Sequence, residues 1–101
     1  MQKNVYIACP IIKADSIDTE LLENLVNYVE EQNFKAFVPG KARETEPKMV
    51  FSRDINWLKQ SSIIIAEVSE PSHGVGMEVM YAYEHNIPVV CLVKKKQKTN
   101  I

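Results

Sequence analysis

An α/β fold around a parallel sheet of at least four strands is the expectation for this chain, and three observations lead to it. Four short, mostly apolar runs, Val5–Cys9, Phe34–Val38, Ile63–Ala66 and Val89–Val93, have the length and β-branched content of strands. The segments between them carry apolar residues at helical spacing. The resulting order, β-α-β-α-β-α-β, dictates parallel strands, right-handed crossovers and helices on both faces of the sheet.

Val5–Cys9 opens the chain as a strand buried on both faces and stops at Pro10. Ile11–Ser16 reads as a loop. Leu21, Leu22, Leu25, Val26 and Val29 then repeat at helical spacing, with Asp18 and Glu20 near the start and Asn33 as a stop. Phe34–Val38 is the second strand, closed by the turn signal Pro39-Gly40. After the polar stretch Lys41–Glu46, Thr45 can cap a second helix with Pro47 in its first turn. Val50, Asp54, Trp57 and Leu58 are expected on one face of that helix. Ile63–Ala66 is apolar throughout, as a central parallel strand should be. A third helix is expected from about Val75 to Glu84, stopped by Asn86 and Pro88, before the fourth strand. The three layers so defined make a Rossmann-like (flavodoxin-like) domain, with residues 1–101 as one unit. No helix follows the fourth strand in this pattern. A further C-terminal element or a second subunit is therefore expected to cover that edge.

The bulk properties narrow the function classes. A formal net charge of −1 argues against a broad nucleic-acid or anionic-membrane surface. The run Lys94-Lys95-Lys96-Gln97-Lys98 reads as a solvated strand end in preference to a phosphate attractor. The two cysteines, Cys9 and Cys91, lack metal-ligand spacing and read as buried, reduced thiols. With no signal peptide and no apolar run of spanning length, the expected setting is cytoplasmic.

Chemistry concentrates in Ala66–Glu78, AEVSEPSHGVGME. This stretch leaves a strand, turns through Pro71 and Ser72, and opens a helix. It lies at the carboxyl edge of the sheet, where open α/β sheets bind ligands. A helix N-terminus attracts phosphate and favours an ionised carboxylate. Glu78 is expected in the first helical turn, where it can act as a nucleophile toward an anomeric carbon or merely complement the helix dipole. Ser72 reads as a turn or cap hydroxyl, or as a phosphate ligand aided by the N–H groups of Gly74 to Gly76. Gly74 and Gly76 would permit close backbone approach. The glycine pattern is too short for a dinucleotide fingerprint, and no P-loop pattern is present.

Asp54 lies mid-helix among apolar residues, and an inward carboxylate needs a partner or a task. Tyr6, in the first strand, reads as a core aromatic whose hydroxyl can orient a carboxylate. His73 is expected to face solvent and His85 to sit at a helix end. Neither has companions at metal-ligand spacing. Glu67 and Glu70 read as solvated or structural.

RDINWLKQSSIIIAEVSEPSHGVGMEVMYAYEHNIPVVCL resembles the nucleoside 2-deoxyribosyltransferase superfamily, and within it the 2′-deoxynucleoside 5′-phosphate N-hydrolase branch. The D-x-x-W-L element and the P-S-x-G-V-G-x-E segment carry the likeness, which is good over Asp54–Leu92 and looser before it. The resemblance implies Glu78 as nucleophile, Asp54 as the acid that positions or protonates the leaving base, and Tyr6 as the tyrosine beside the nucleophile. It implies Ser72, Gly74 and Gly76 at the 5′-phosphate. The branch carries a glycine-rich loop after its first strand, whereas here the segment is Cys9-Pro10-Ile11-Ile12-Lys13-Ala14. Ile11 and Lys13 are expected on the substrate side, with Lys13 read either as replacing backbone contacts by a charge or as a surface lysine. Base contacts are expected in the 10–14 and 39–50 segments.

By this resemblance the chain cleaves the N-glycosidic bond of a deoxynucleotide through a covalent Glu78 intermediate, as a homodimer. The substrate is a small molecule; no nucleic-acid polymer, membrane, metal or organic cofactor is implied, since carboxylate chemistry suffices. The alternatives are base exchange by a deoxyribosyltransferase, hydrolysis of a ribonucleotide, and a non-catalytic nucleotide-binding domain.

Overall fold

The computed structural model describes residues 2–10, 19–39 and 47–95. It contains β1 (Lys3–Ala8), α1 (Thr19–Glu31), β2 (Phe34–Phe37), α2 (Pro47–Lys59), β3 (Ser61–Glu67), α3 (His73–Glu84) and β4 (Val89–Leu92). All strand pairs are parallel, in the order β2-β1-β3-β4. The chain steps from β1 outward to β2 and then back across to β3. The switch point therefore lies between the carboxyl ends of β1 and β3, where such sheets place ligands.

Alternation along β1 divides the core between two helical layers. Val5 and Ile7 point to one face and pack with Leu22 and Val29 of α1. Tyr6 and Ala8 point to the other face, where Leu58 of α2, Val75 and Ala82 of α3, and Ile64 and Ala66 of β3 surround them. Tyr6, Ile7, Ala8, Ile64 and Ala66 are wholly inaccessible to solvent, so the paired centres of β1 and β3 form the rigid floor of the molecule.

Helix ends follow the expected signals. Asn33 (φ 68°) and Asn86 (φ 57°) both adopt the left-handed conformation that closes a helix, a role asparagine takes when glycine is absent. Pro47 opens α2. Thr45, read as that helix's cap, lies outside the described residues.

One expectation about packing is corrected, that of the two cysteines, and one gains a contact the spacing did not show. Trp57 lies at one edge of the α2 face that carries Val50, Asp54 and Leu58, and packs against the same core cluster as Leu58. It stacks on Phe37, with ring centroids 4.8 Å apart and planes 1° from parallel, and lines a separate recess with Lys35 and Arg53. The 100° step per residue puts position 57 only about 20° from position 50, on the side of that face away from Leu58. Cys91, expected to be buried, is exposed because β4 is the edge strand, and Cys9 is only partly buried. Val90, in register with Ile65 of β3, is 43% exposed, so β4 lacks full cover among the described residues. No described helix is long and apolar enough to cross a membrane.

Candidate active site

Tyr6 and Glu78 meet across the sheet–helix boundary. The Tyr6 hydroxyl, at the buried floor, donates a hydrogen bond to Glu78 Oε2. Their pairing needs the whole fold, since β1 supplies one partner and α3 the other. Burial is the largest influence on Glu78 and pushes its carboxyl from 4.5 up to about 7; the Tyr6 hydrogen bond pulls it down, and the Asp54 charge pushes it further up. Burial first, then the Glu78 charge and the shared hydrogen bond, push the Tyr6 phenol far above its ordinary value, so it remains a donor.

The position of Glu78 in its helix differs from expectation. Ser72 is the N-cap (φ −150°, ψ 124°), and α3 begins at His73, two residues earlier than predicted. Glu78 is therefore in the second turn, with no acidic residue in the first. The helix dipole acts mainly on the first turn. Desolvation prevails over it, and the carboxyl is raised instead of being held ionised.

Ser72 Oγ accepts from the Val75 N–H at 3.3 Å, and the Ser72 carbonyl accepts from the Gly76 N–H at 3.0 Å. The amide donors at 75 and 76 are thus occupied by the cap. The first two helical amides, of His73 and Gly74, have no intrahelical acceptor by geometry. Neither Gly74 nor Gly76 has a positive φ. A Cβ at Gly74 would lie 3.9 Å from Ser72 Oγ, and one at Gly76 would meet nothing within 4 Å. These glycines are not required by local backbone strain; they leave the helix start open.

Asp54, on α2, reaches the same cavity. Its Oδ1 accepts from Arg53 Nη2 at 2.9 Å and from Arg53 Nε at 3.0 Å. The cavity has a volume of about 630 Å³, within the range of small-molecule sites. Asp54, Ser72, Gly74 and Glu78 line it, with an apolar wall of Val50, Phe51, Ile55, Leu58 and Met77. The structure therefore brings together Tyr6, Asp54, Ser72, Gly74 and Glu78 from β1, α2 and the start of α3. Gly76 is not among the cavity-lining residues. Ile11 and Lys13, with most of the 10–14 and 39–50 segments, lie outside the described residues.

Sequence reasoning passed over three residues here. Cys9, immediately after β1, lines the cavity; burial and the charges of Glu78 and Glu67 push its thiol up, so it stays protonated. Its place at the carboxyl end of the first strand was the available signal. Tyr81, three residues beyond Glu78 on α3, also lines the cavity, and its hydroxyl is buried without a partner among the described residues. Helical i, i+3 spacing from Glu78 points to it. The third is Arg53, the partner of Asp54. Glu67, by contrast, is structural: its buried carboxylate accepts from the Ser69 N–H at 2.7 Å. His73 is exposed, and His85 stacks on Tyr81 at the end of α3. Lys96 and Lys98 of the basic run lie outside the described residues. Among those described, no group of three or more His, Cys, Asp or Glu could hold a metal ion.

Known proteins share this arrangement of elements. The chain is similar to a protein of Thermofilum pendens named "Putative 2'-deoxynucleoside 5'-phosphate N-hydrolase 1", at 29% identity over 104 residues, covering 96% of this chain and 72% of that one. It is also similar to the 5-hydroxymethyl-dUMP N-hydrolase of Tetraodon nigroviridis, at 40% identity over 47 residues, covering 46% of this chain and 33% of that one. The segment matched in the Syntrophotalea carbinolica relative spans 30% of its length. The fold is that of the 2-deoxyribosyltransferase from Leishmania mexicana, with a TM-score of 0.78 at 18% identity, over 92% of this chain and 65% of that one. The model of the nucleoside 2-deoxyribosyltransferase family matches residues 5–101, and the chain belongs to that family.

Proposed function

We propose that this protein hydrolyses the N-glycosidic bond of 2′-deoxynucleoside 5′-monophosphates, giving free base and deoxyribose 5-phosphate. The observation that carries this reading is the Glu78 carboxylate, held by the Tyr6 hydroxyl, facing a cavity shared with Asp54 and opened by the start of α3. The likeness to proteins named as deoxynucleotide N-hydrolases supports it.

In this mechanism ionised Glu78 attacks C1′ as the C1′–N bond breaks through an oxocarbenium-like transition state. The bonding electrons leave with the base, which Asp54 positions or protonates. Water then attacks C1′ of the glycosyl–Glu78 ester: its oxygen joins C1′, the C1′–Oε bond breaks to return the Glu78 carboxylate, and its proton passes to the Asp54 carboxylate. Tyr6 holds Oε2, so the other oxygen is the attacking one. The phosphate is placed at Ser72 and the free amides of His73 and Gly74. The reading includes a homodimer, supported by the exposed row Met77, Met80 and Tyr83 on α3, and a cytoplasmic setting, supported by two free cysteines.

The test is chromatographic detection of free base from deoxynucleoside monophosphates, ribonucleotides and unphosphorylated deoxynucleosides, each with and without a second free base. Base released from the 5′-phosphates is the expected result. A new nucleoside formed only with acceptor base would instead show a transferase. Nucleotide binding without any product would show a sensing domain.

Two variants probe the parts. Ser72→Ala should reduce kcat/KM for phosphorylated substrates more than for nucleosides, while loss of the cap costs about 1 kcal/mol of stability. Equal loss on both substrate classes would remove the phosphate role. Tyr6→Phe leaves Oε2 without its donor, a bond to a charged group worth about 1.5–3 kcal/mol. Because that bond lowers the Glu78 pKa, the acidic limb of the rate profile should move to higher pH. An unmoved limb would show that Tyr6 does not govern the carboxylate.

A further inference from the structure

Arg53 has no role in the mechanism above, yet its guanidinium is among the most constrained groups near the cavity. Nε and Nη2 both donate to the same Asp54 oxygen, Oδ1, at 3.0 and 2.9 Å. Nη2 also reaches the Pro39 carbonyl at 3.4 Å, just beyond the end of β2. The guanidinium carbon lies 4.9 Å from the centre of the Trp57 ring, which itself stacks on Phe37 of β2. Arg53 and Asp54 expose only 18% and 21% of their side chains, so the pair is poorly screened, unlike a surface ion pair.

One detail sets this apart from ordinary packing. Arg53 Nη1 is buried and has no hydrogen-bond partner among the described residues. A guanidinium placed to satisfy itself would not be left with an orphaned buried donor, which is costly. Its orientation instead serves Oδ1 of the neighbouring residue. With Oδ1 held, no hydrogen bond engages Oδ2 among the described residues, and Asp54 lines the cavity.

Resting on the reading of Asp54 given above, we propose that Arg53 is a positioning residue: its guanidinium, clamped between the Trp57 ring and the Pro39 carbonyl, fixes Asp54 by Oδ1 so that Oδ2 is held ready for the leaving base. The clamp has a second consequence. Without it, Asp54 is free to change rotamer and turn its charge toward Glu78. The titratable and charged groups around Glu78 among the described residues are Tyr6 and Cys9 at the end of β1, Asp54 and Arg53 on α2, and Tyr81 on α3, with Glu67 of β3 acting on Cys9.

The test compares Arg53→Gln, Arg53→Lys, Asp54→Asn and the double variant Arg53→Gln/Asp54→Asn, all checked for unchanged fold by circular dichroism. On the best deoxynucleoside monophosphate, Arg53→Gln should lower kcat about 10- to 100-fold, the scale of a misplaced catalytic group, with KM within about twofold. Arg53→Lys, a point charge without the fork, should recover only part of that loss. The acidic limb should move up in Arg53→Gln but not in the double variant, which should be no slower than Asp54→Asn alone. Full activity in Arg53→Gln, a loss confined to KM, or losses that multiply in the double variant would each overturn the proposal.

A readout independent of turnover separates this from failure of the hydrolase reading. Side-chain NMR couplings should show one Asp54 rotamer in the native protein and averaged rotamers in Arg53→Gln. Native protein that releases no base from any nucleotide would end the hydrolase reading, while an Asp54 rotamer unchanged by the substitution would end the positioning role.

Discussion

Glu78→Gln is expected to abolish base release, by at least about 1,000-fold in kcat, while raising the thermal stability of the protein at pH 8. The loss follows from removing the proposed nucleophile, since an amide oxygen cannot form the glycosyl ester and effects on a nucleophile are large. The gain follows from linkage. The Glu78 carboxyl is raised from 4.5 to about 7 in the folded protein, chiefly by burial. Its contribution to stability is therefore fully present below the unfolded value and is lost as pH rises through about 7. The shift corresponds to at most about 3 kcal/mol. Glutamine keeps an acceptor for the Tyr6 hydroxyl but carries no charge to desolvate. Melting curves of native and variant protein should coincide near pH 4 and separate by several degrees at pH 8. In the native protein the rate of base release should rise with pH through about 7 as the proposed nucleophile ionises. Full turnover in Glu78→Gln would remove Glu78 from the chemistry; equal melting temperatures at pH 8 would show that the carboxyl is not strained by burial.

Asp54→Asn is expected to lower kcat about 100-fold on ordinary purine and pyrimidine deoxynucleotides, the scale of a lost general acid. The diagnostic is the leaving group. A nucleotide analogue whose aglycone departs without protonation should lose much less. The same substitution removes the negative charge that raises Glu78, so the acidic limb of the profile should shift to lower pH. A uniform loss across leaving groups would assign Asp54 to binding instead.

How much of this was legible in the chain depends on the range of the interactions involved. All seven elements were readable because strand and helix patterns are local: Ile63–Ala66 is apolar without interruption, and the α1 residues Leu22, Leu25, Val26 and Val29 repeat at helical spacing. The asparagines at 33 and 86 were readable as stops because the left-handed conformation they adopt is a property of single residues. The start of α3 was misplaced by two residues. Ser72 caps through its own side chain, and Gly74 and Gly76, which suggested a loop, sit inside the helix. That shift moved Glu78 out of the first turn and reversed the expected effect on its charge. The stacking of Trp57 on Phe37 was not legible because its partner belongs to another element.

The sequence by itself determined the parallel α/β architecture, the chemical identity of Glu78, Asp54, Ser72 and Tyr6, and their distribution over strand, helix and turn. Only the tertiary structure decided that Tyr6 of β1 donates to Glu78 of α3, that Arg53 holds one oxygen of Asp54, and that Cys9 and Tyr81 border the same cavity. The physical reason is that periodicity and propensity act over a few residues. Desolvation and hydrogen-bond geometry at a site depend on groups separated by up to 72 positions along the chain and brought together only when the sheet and its two helical layers close.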